Sequence, residues 1–133
     1  MKKFYTLLTV LFLFTGITFA QIGYSPQVQG IIDDITESSI STLDRELSGD
    51  IETTIGGSPY TIASRHYQQP GNAMAAQWLF EKFESYGYTP VYQDFGSNGT
   101  NVIATKTGTD FPDKQYIICG HYDDMPSGSL APG

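Results

Sequence analysis

Tyr116-Ile117-Ile118-Cys119-Gly120-His121-Tyr122-Asp123-Asp124 is the stretch that sets the fold class. Four apolar residues in a row, without polar alternation, fit a β-strand covered on both faces, as inside an open α/β sheet. Gly120 then releases the chain into a loop, and in such sheets ligands gather at the carboxyl ends of the strands. The period of two predicts that His121 and Asp123 share one face while Tyr122 turns away. An imidazole with a carboxylate beside it is the pairing a zinc site uses: one ring nitrogen binds metal, and the other is held by an acceptor that fixes the tautomer. A solvated loop can carry the same two residues with no such role, so both readings stand at this point.

Upstream, Asn101 to Thr107 and Thr89 to Phe95 read as two β-rich runs around Gly96-Ser97-Asn98-Gly99-Thr100, which predicts adjacent antiparallel strands. Asn98-Gly99-Thr100 also fits a glycosylation acceptor, with the turn as the leading reading. Before them, Ala76, Leu79, Phe80 and Phe83 mark a helix with Asn72 as its N-cap and Gly87 at its C-terminal end. Trp78, Phe80 and Phe83 at helical spacing are expected to pack a core rather than line a substrate pocket. Ile51 to Ile55 and Tyr60 to Ile62 flank Gly56-Gly57-Ser58-Pro59 as a short hairpin. From Ser25 to Leu47, Val28, Ile31, Ile32, Ile35, Ile40, Leu43 and Leu47 recur at helical spacing, with a break expected near Ser38-Ser39.

The start of the chain has a different purpose. Lys2 and Lys3 precede an apolar stretch from Phe4 to Phe19 that closes on Thr18-Phe19-Ala20, the pattern of a secretory signal peptide over residues 1–20. Thr6, Thr9, Thr15, Gly16 and Thr18 interrupt the stretch, and Gln21 follows at once, which disfavours a transmembrane anchor. The expected product is secreted or periplasmic, without membrane attachment after cleavage. Removing Lys2 and Lys3 leaves five basic side chains against 14 acidic ones, a charge of −9 compared with −7 for the whole 133-residue chain. That balance, with no basic run, excludes a nucleic-acid binder. Cys119 is the single cysteine, so no intrachain disulfide is available.

Ser64-Arg65, Pro70-Gly71-Asn72, the helix to Gly87, Asn101-Val102-Ile103-Ala104, the stretch from Tyr116 to Asp124 and Ala131-Pro132-Gly133 together resemble the opening of a secreted two-zinc aminopeptidase. The family is that of bacterial leucyl aminopeptidases and their glutamate carboxypeptidase-like relatives. The resemblance implies an α/β fold, the start of a mixed β-sheet flanked by helices, truncated after Gly133. It implies three segments: the signal peptide, residues 21–63 as a propeptide or the start of the catalytic domain, and residues 64–133 as the incomplete amino-terminal portion of that domain. By position, His121 takes the part of the first zinc ligand and Asp123 that of the catalytic-site carboxylate that orients it. The general-base Glu and the remaining ligands of the family would follow Gly133. The family's chemistry uses two zinc ions about 3.5–4 Å apart that activate a bridging water. Its substrates are peptide or protein N-termini.

Three other residues carry weaker signals. His66 matches no family ligand and reads as a loop residue, Asp124 reads as a stabiliser of its loop rather than a ligand, and Cys119 reads as core. Two rival functions remain: a truncated, non-catalytic binding module with the same partial fold, and a calcium-binding surface protein. No Asp-x-Asp-x-Asp-Gly loop supports the latter.

Export is testable at once. Cleavage is expected between Ala20 and Gln21, and mass spectrometry of the exported protein will find Gln21 as its first residue; retention of residues 1–20 refutes the signal-peptide reading.

Overall fold

A computed structural model of the chain describes residues 25–97 and 99–124. The signal-peptide reading, Asn98 of the glycosylation pattern and Ala131-Pro132-Gly133 lie outside the described residues. The chain divides into two compact units between Ile35 and Thr36.

In the first unit, α1 (Pro26–Asp34) begins where Ser25 accepts a hydrogen bond from the Val28 amide, with proline in the first turn. Its Val28, Ile31, Ile32 and Ile35 are exposed. The helical periodicity of this region is therefore present, while its burial is not.

The second unit opens with α2 (Glu37–Ser48). The break between the two helices falls at Ile35-Thr36 rather than at Ser38-Ser39. The reason is a capping box: Thr36 Oγ1 accepts from the Ser39 amide at 3.1 Å, and Ser39 Oγ accepts from the Thr36 amide at 3.2 Å. Ser39 thus belongs to the first turn of a new helix instead of the end of an old one. Leu43 and Leu47 on α2 pack against the core.

Strands β1 (Thr53–Ile55) and β2 (Ser58–Tyr60) pair antiparallel, with Ile55 opposite Ser58. The loop is only Gly56-Gly57, both at positive φ, as a two-residue primed turn requires. Ser58 and Pro59, expected in the turn, are strand residues, and Pro59 sits without a second neighbour in a two-stranded sheet. Glu81 accepts a hydrogen bond from the Gly56 amide at 2.9 Å and ties this hairpin to the next helix.

That helix, α3 (Pro70–Ser85), is the centre of the unit. Its buried residues are Gly71, Asn72, Ala75, Ala76 and Trp78. Ala75 and Trp78 join Ile55 and Ile62 in the core, with Leu43, Leu47, Tyr60, Met74, Leu79 and Tyr122 around them. The Trp78 indole N–H lies between Glu46 at 3.1 Å and Thr53 at 3.2 Å, so its polar end is satisfied where its ring is buried. Phe80 instead stacks on Tyr92 with ring centroids 4.6 Å apart. Burial pushes the Tyr92 phenol up from its usual value, with Glu81 and Glu84 adding to the effect. The helix ends as expected, with Gly87 at a φ of 81° and the Tyr88 and Gly87 amides donating to the Phe83 and Glu84 carbonyls.

The start of α3 differs from expectation. Pro70 opens the helix and Gln69 is the N-cap, without a side-chain cap bond. Asn72 is buried within the first turn, and its Nδ2 donates to the Arg65 carbonyl at 2.8 Å. Gly71 beside it lies against Ser64 so closely that a Cβ there would stand 2.1 Å from the Ser64 carbonyl oxygen.

Strands β3 (Val91–Phe95) and β4 (Gly99–Ile103) form the second antiparallel pair, with Phe95 opposite Gly99. The expected adjacency holds, and each strand is shorter than its β-rich run. The chain is mixed α/β, and the described residues hold two separate two-stranded sheets. Among them, Tyr116–Cys119 is the clear departure. It is not a covered strand: Ile117 and Ile118 are 85% and 99% exposed, and Cys119 is exposed rather than core. An interior strand needs a neighbour for its amides and a layer on each face, and no described strand pairs with this run. No described helix is long and apolar enough to cross a membrane.

The Gly71–Ser64 contact gives a stability prediction. Gly71→Ala must separate the first turn of α3 from Ser64, and a cost of about 1–3 kcal/mol is expected from such overpacking. Thermal unfolding of the full-length protein and its variant checks this, and an unchanged midpoint refutes it.

Candidate functional site

The loop from Gly120 to Asp124 is held by alternate residues. The Tyr122 hydroxyl donates to the Thr100 carbonyl on β4 at 2.7 Å, and its ring packs against the core. Asp124 Oδ2 accepts from Arg65 Nη2 at 3.1 Å, with the two side chains 24% and 13% exposed. Tyr122 and Asp124 are thus the anchors. His121 and Asp123, between and before them, meet each other instead: His121 Nδ1 is 3.0 Å from Asp123 Oδ1.

This contact selects a tautomer. With its proton on Nδ1, directed at the Asp123 carboxylate, the imidazole presents the lone pair of Nε2. The His121 side chain is 92% exposed, so Nε2 is open to a ligand. An oriented imidazole with a free nitrogen is the donor chemistry of one corner of a zinc site. Among the described residues, no group of three His, Cys, Asp or Glu side chains converges to hold a metal ion.

The other singled-out residues fall elsewhere. His66 Nδ1 accepts from the Gln68 amide at 3.2 Å, and its ring lies 4.7 Å from that of Tyr67, so it shapes its own loop. Asp124 pairs with Arg65 and is occupied in holding the loop. Two shallow concavities, one beside Tyr86 and Lys106 and the other beside Glu46 and Lys82, include neither His121 nor Asp123.

Arg65 is the contributor that residue-by-residue reading of the site missed. It lies 59 positions before Asp124 and belongs to no local motif. Its backbone is fixed by Asn72 from α3, and its side chain reaches Asp124. Among the described residues, Arg65 Nε and Asp124 Oδ1 are both buried without a partner. A side-on Arg–carboxylate fork uses the Nε and Nη2 of one residue with both oxygens of the other; here one of its two links is made.

Burial raises the Tyr122 phenol above its usual pKa, and Asp123, Tyr92 and Asp94 raise it further. The fold therefore holds the protonated form.

No family model matches the chain, and no solved structure matches it. Over 122 residues the chain is 27% identical to a probable zinc metalloprotease of Phaeosphaeria nodorum, in an alignment covering 78% of this chain and 23% of that protein. The chain thus spans less than a quarter of that relative's length. The similarity is one of distant relationship to a probable zinc metalloprotease.

Tyr122→Phe deletes one partly buried hydrogen bond and is expected to cost about 1 kcal/mol. The phenol's raised pKa means that its contribution is intact below the ordinary value of 10.0 and is lost as pH rises through the raised one. Denaturant unfolding of both proteins at neutral and strongly alkaline pH will show a gap that narrows on the alkaline side; a constant gap refutes this account of Tyr122.

Proposed function

We propose that this chain is the amino-terminal part of an exported zinc-dependent aminopeptidase that releases residues from peptide or protein N-termini. The observation that carries the reading is the His121 Nδ1 contact with Asp123, which leaves Nε2 free on an exposed imidazole. The distant similarity to a probable zinc metalloprotease supports the peptidase chemistry. The resemblance of the segments around Ser64, Asn72 and His121 to two-zinc aminopeptidases supports the finer activity and a second ion.

His121 would hold the metal through Nε2, and Asp123 would keep the ring in the required tautomer and orientation. Zinc, when bound, supplies Lewis acidity toward a peptide carbonyl and toward the attacking water. Asp124 and Tyr122 keep their side chains on Arg65 and Thr100, so they leave the metal-facing side to His121 and Asp123. The remaining ligands and the general base would come from residues outside 25–97 and 99–124. Cleavage of the signal peptide would deliver the protein to the secreted or periplasmic compartment.

Loss of a direct metal bond should outweigh loss of an orienting carboxylate. In the full-length protein, His121→Ala is expected to lose most zinc at one position and nearly all turnover of an aminoacyl anilide such as leucine anilide. Asp123→Asn is expected to keep the fold and to lower metal affinity or turnover by about 10- to 100-fold. Metal analysis with anilide kinetics reads both. A fully active, zinc-replete His121→Ala protein overturns the reading, and a folded wild-type protein that binds no zinc favours a non-catalytic binding module.

A further inference from the structure

We propose that Arg65 is a positioning residue for the His121–Asp123 pair, acting through Asp124. The proposal rests on the zinc reading of His121 and extends it to a segment remote in sequence.

The chain of contacts is continuous. The first turn of α3 fixes the Ser64–Arg65 backbone from two sides, by the Asn72 Nδ2 bond to the Arg65 carbonyl and by the close approach of Gly71 to Ser64. From that fixed backbone the Arg65 guanidinium reaches Asp124, and the pair is largely buried. Asp124 directly follows Asp123, whose carboxylate meets His121. Tyr122, on the other side of Asp123, is tied to Thr100. Asp123 therefore sits between two anchored neighbours, and its peptide units on both sides are held. Without the Arg65 link, only the Tyr122 anchor would remain, and the Asp123 carboxylate could swing away from Nδ1.

A pair that served stability alone would have no reason to act on the ring of His121. The Arg65–Asp124 contact is a single Nη2–Oδ2 link, and the planar guanidinium gives it a direction that a point charge lacks. Among the described residues, Arg65 Nε and Asp124 Oδ1 are buried and without a partner, so the single Nη2–Oδ2 link is the whole of the contact.

The test uses the full-length protein and four variants, Arg65→Met, Arg65→Lys, Asp124→Asn and the Arg65→Met/Asp124→Asn double substitution. Zinc affinity is measured by competition with a chelator, at a temperature where each variant is folded. The ring nitrogens of His121 are followed by NMR in metal-free protein. Arg65→Met and Asp124→Asn are each expected to weaken zinc by about 10- to 100-fold, the range seen when partners behind a ligand are removed. The double variant should be no weaker than the worse single one, because one linkage has been cut twice. Arg65→Lys, which keeps the charge but loses the planar, directional guanidinium, should fall between. In the variants the His121 nitrogens should move from a one-tautomer pattern toward a mixed one.

Should Arg65→Met fail to fold because Asp124 is left buried and unpaired, Asp124→Asn keeps the shape and the double variant removes both charges, so these two carry the measurement. Wild-type zinc affinity with unchanged ring signals overturns the positioning role, even where melting temperatures fall, and leaves the zinc reading intact. Losses that add in the double variant overturn it as well. If His121→Ala binds zinc as well as wild type, the zinc reading fails and the positioning role fails with it.

Discussion

Where the first turn of α3 meets the Ser64–Arg65 backbone, there is no room for a side chain on one partner and no freedom for the carbonyls of the other. Gly71 lies in van der Waals conflict with any larger residue at that place, and Asn72 spends its buried amide on the Arg65 carbonyl. Burying an amide without a partner would cost a few kcal/mol, so the Asn72 side chain and the Arg65 carbonyl hold one another in a single arrangement. That arrangement gives Arg65 a fixed base from which to reach a residue 59 positions away. The helix is held in turn by its other end of contacts: Trp78 on Glu46 and Thr53, and Glu81 on the Gly56 amide. The hairpin β1–β2, helix α2 and helix α3 thereby act as one support behind the Ser64–Arg65 segment.

The loop after Gly120 divides labour by alternation. Tyr122 and Asp124 face the body of the unit and make the contacts that fix it, while His121 and Asp123 make a contact with each other. An exposed polar contact contributes little to stability, and with a side chain 92% exposed His121 gains little from Asp123 in that sense. The value of the contact is chemical: it decides which ring nitrogen keeps a lone pair. The more buried Arg65–Asp124 pair has the opposite character, with desolvation opposing its attraction and geometry as its main product.

Much of the local structure was legible because it follows from chemistry between near neighbours. Two adjacent glycines at positive φ make the β1–β2 turn, and Gly87 ends α3. The α/β class and the β3–β4 pairing follow from the β-rich and helical runs in the sequence. The misses share a cause, which is competition from groups whose partners were not apparent. The capping box of Thr36 depends on Ser39, a residue that reads equally well as a breaker. Asn72 has the composition of an N-cap, but the Arg65 carbonyl claims its side chain. In the site, the pairing of His121 with Asp123 could be anticipated from spacing of two, whereas nothing local in Ser64-Arg65-His66 announces the Asp124 link. Tyr116–Cys119 misled for a different reason: an apolar run states what a segment would bury, and burial requires a second surface.

Among the described residues, nothing covers that run, and the contacts to the candidate site come from elsewhere. In an interior strand, ladder hydrogen bonds fix the backbone up to the point where the loop begins, and the first loop residues inherit their direction from the sheet. Tyr116 to Ile118 have no such neighbour among the described residues and are exposed. The direction of His121 is then set from its C-terminal side, by the Tyr122 hydroxyl on Thr100 and by Asp124 on Arg65. A neutral hydrogen bond contributes about 0.5–1.5 kcal/mol and one to a charged group about 1.5–3 kcal/mol. The two ties flank Asp123, one on each side. Among the described residues, the contacts that hold the backbone around the imidazole therefore come from β4 and from the segment preceding α3, through Tyr122 and Asp124, and not from the apolar residues that precede it in sequence.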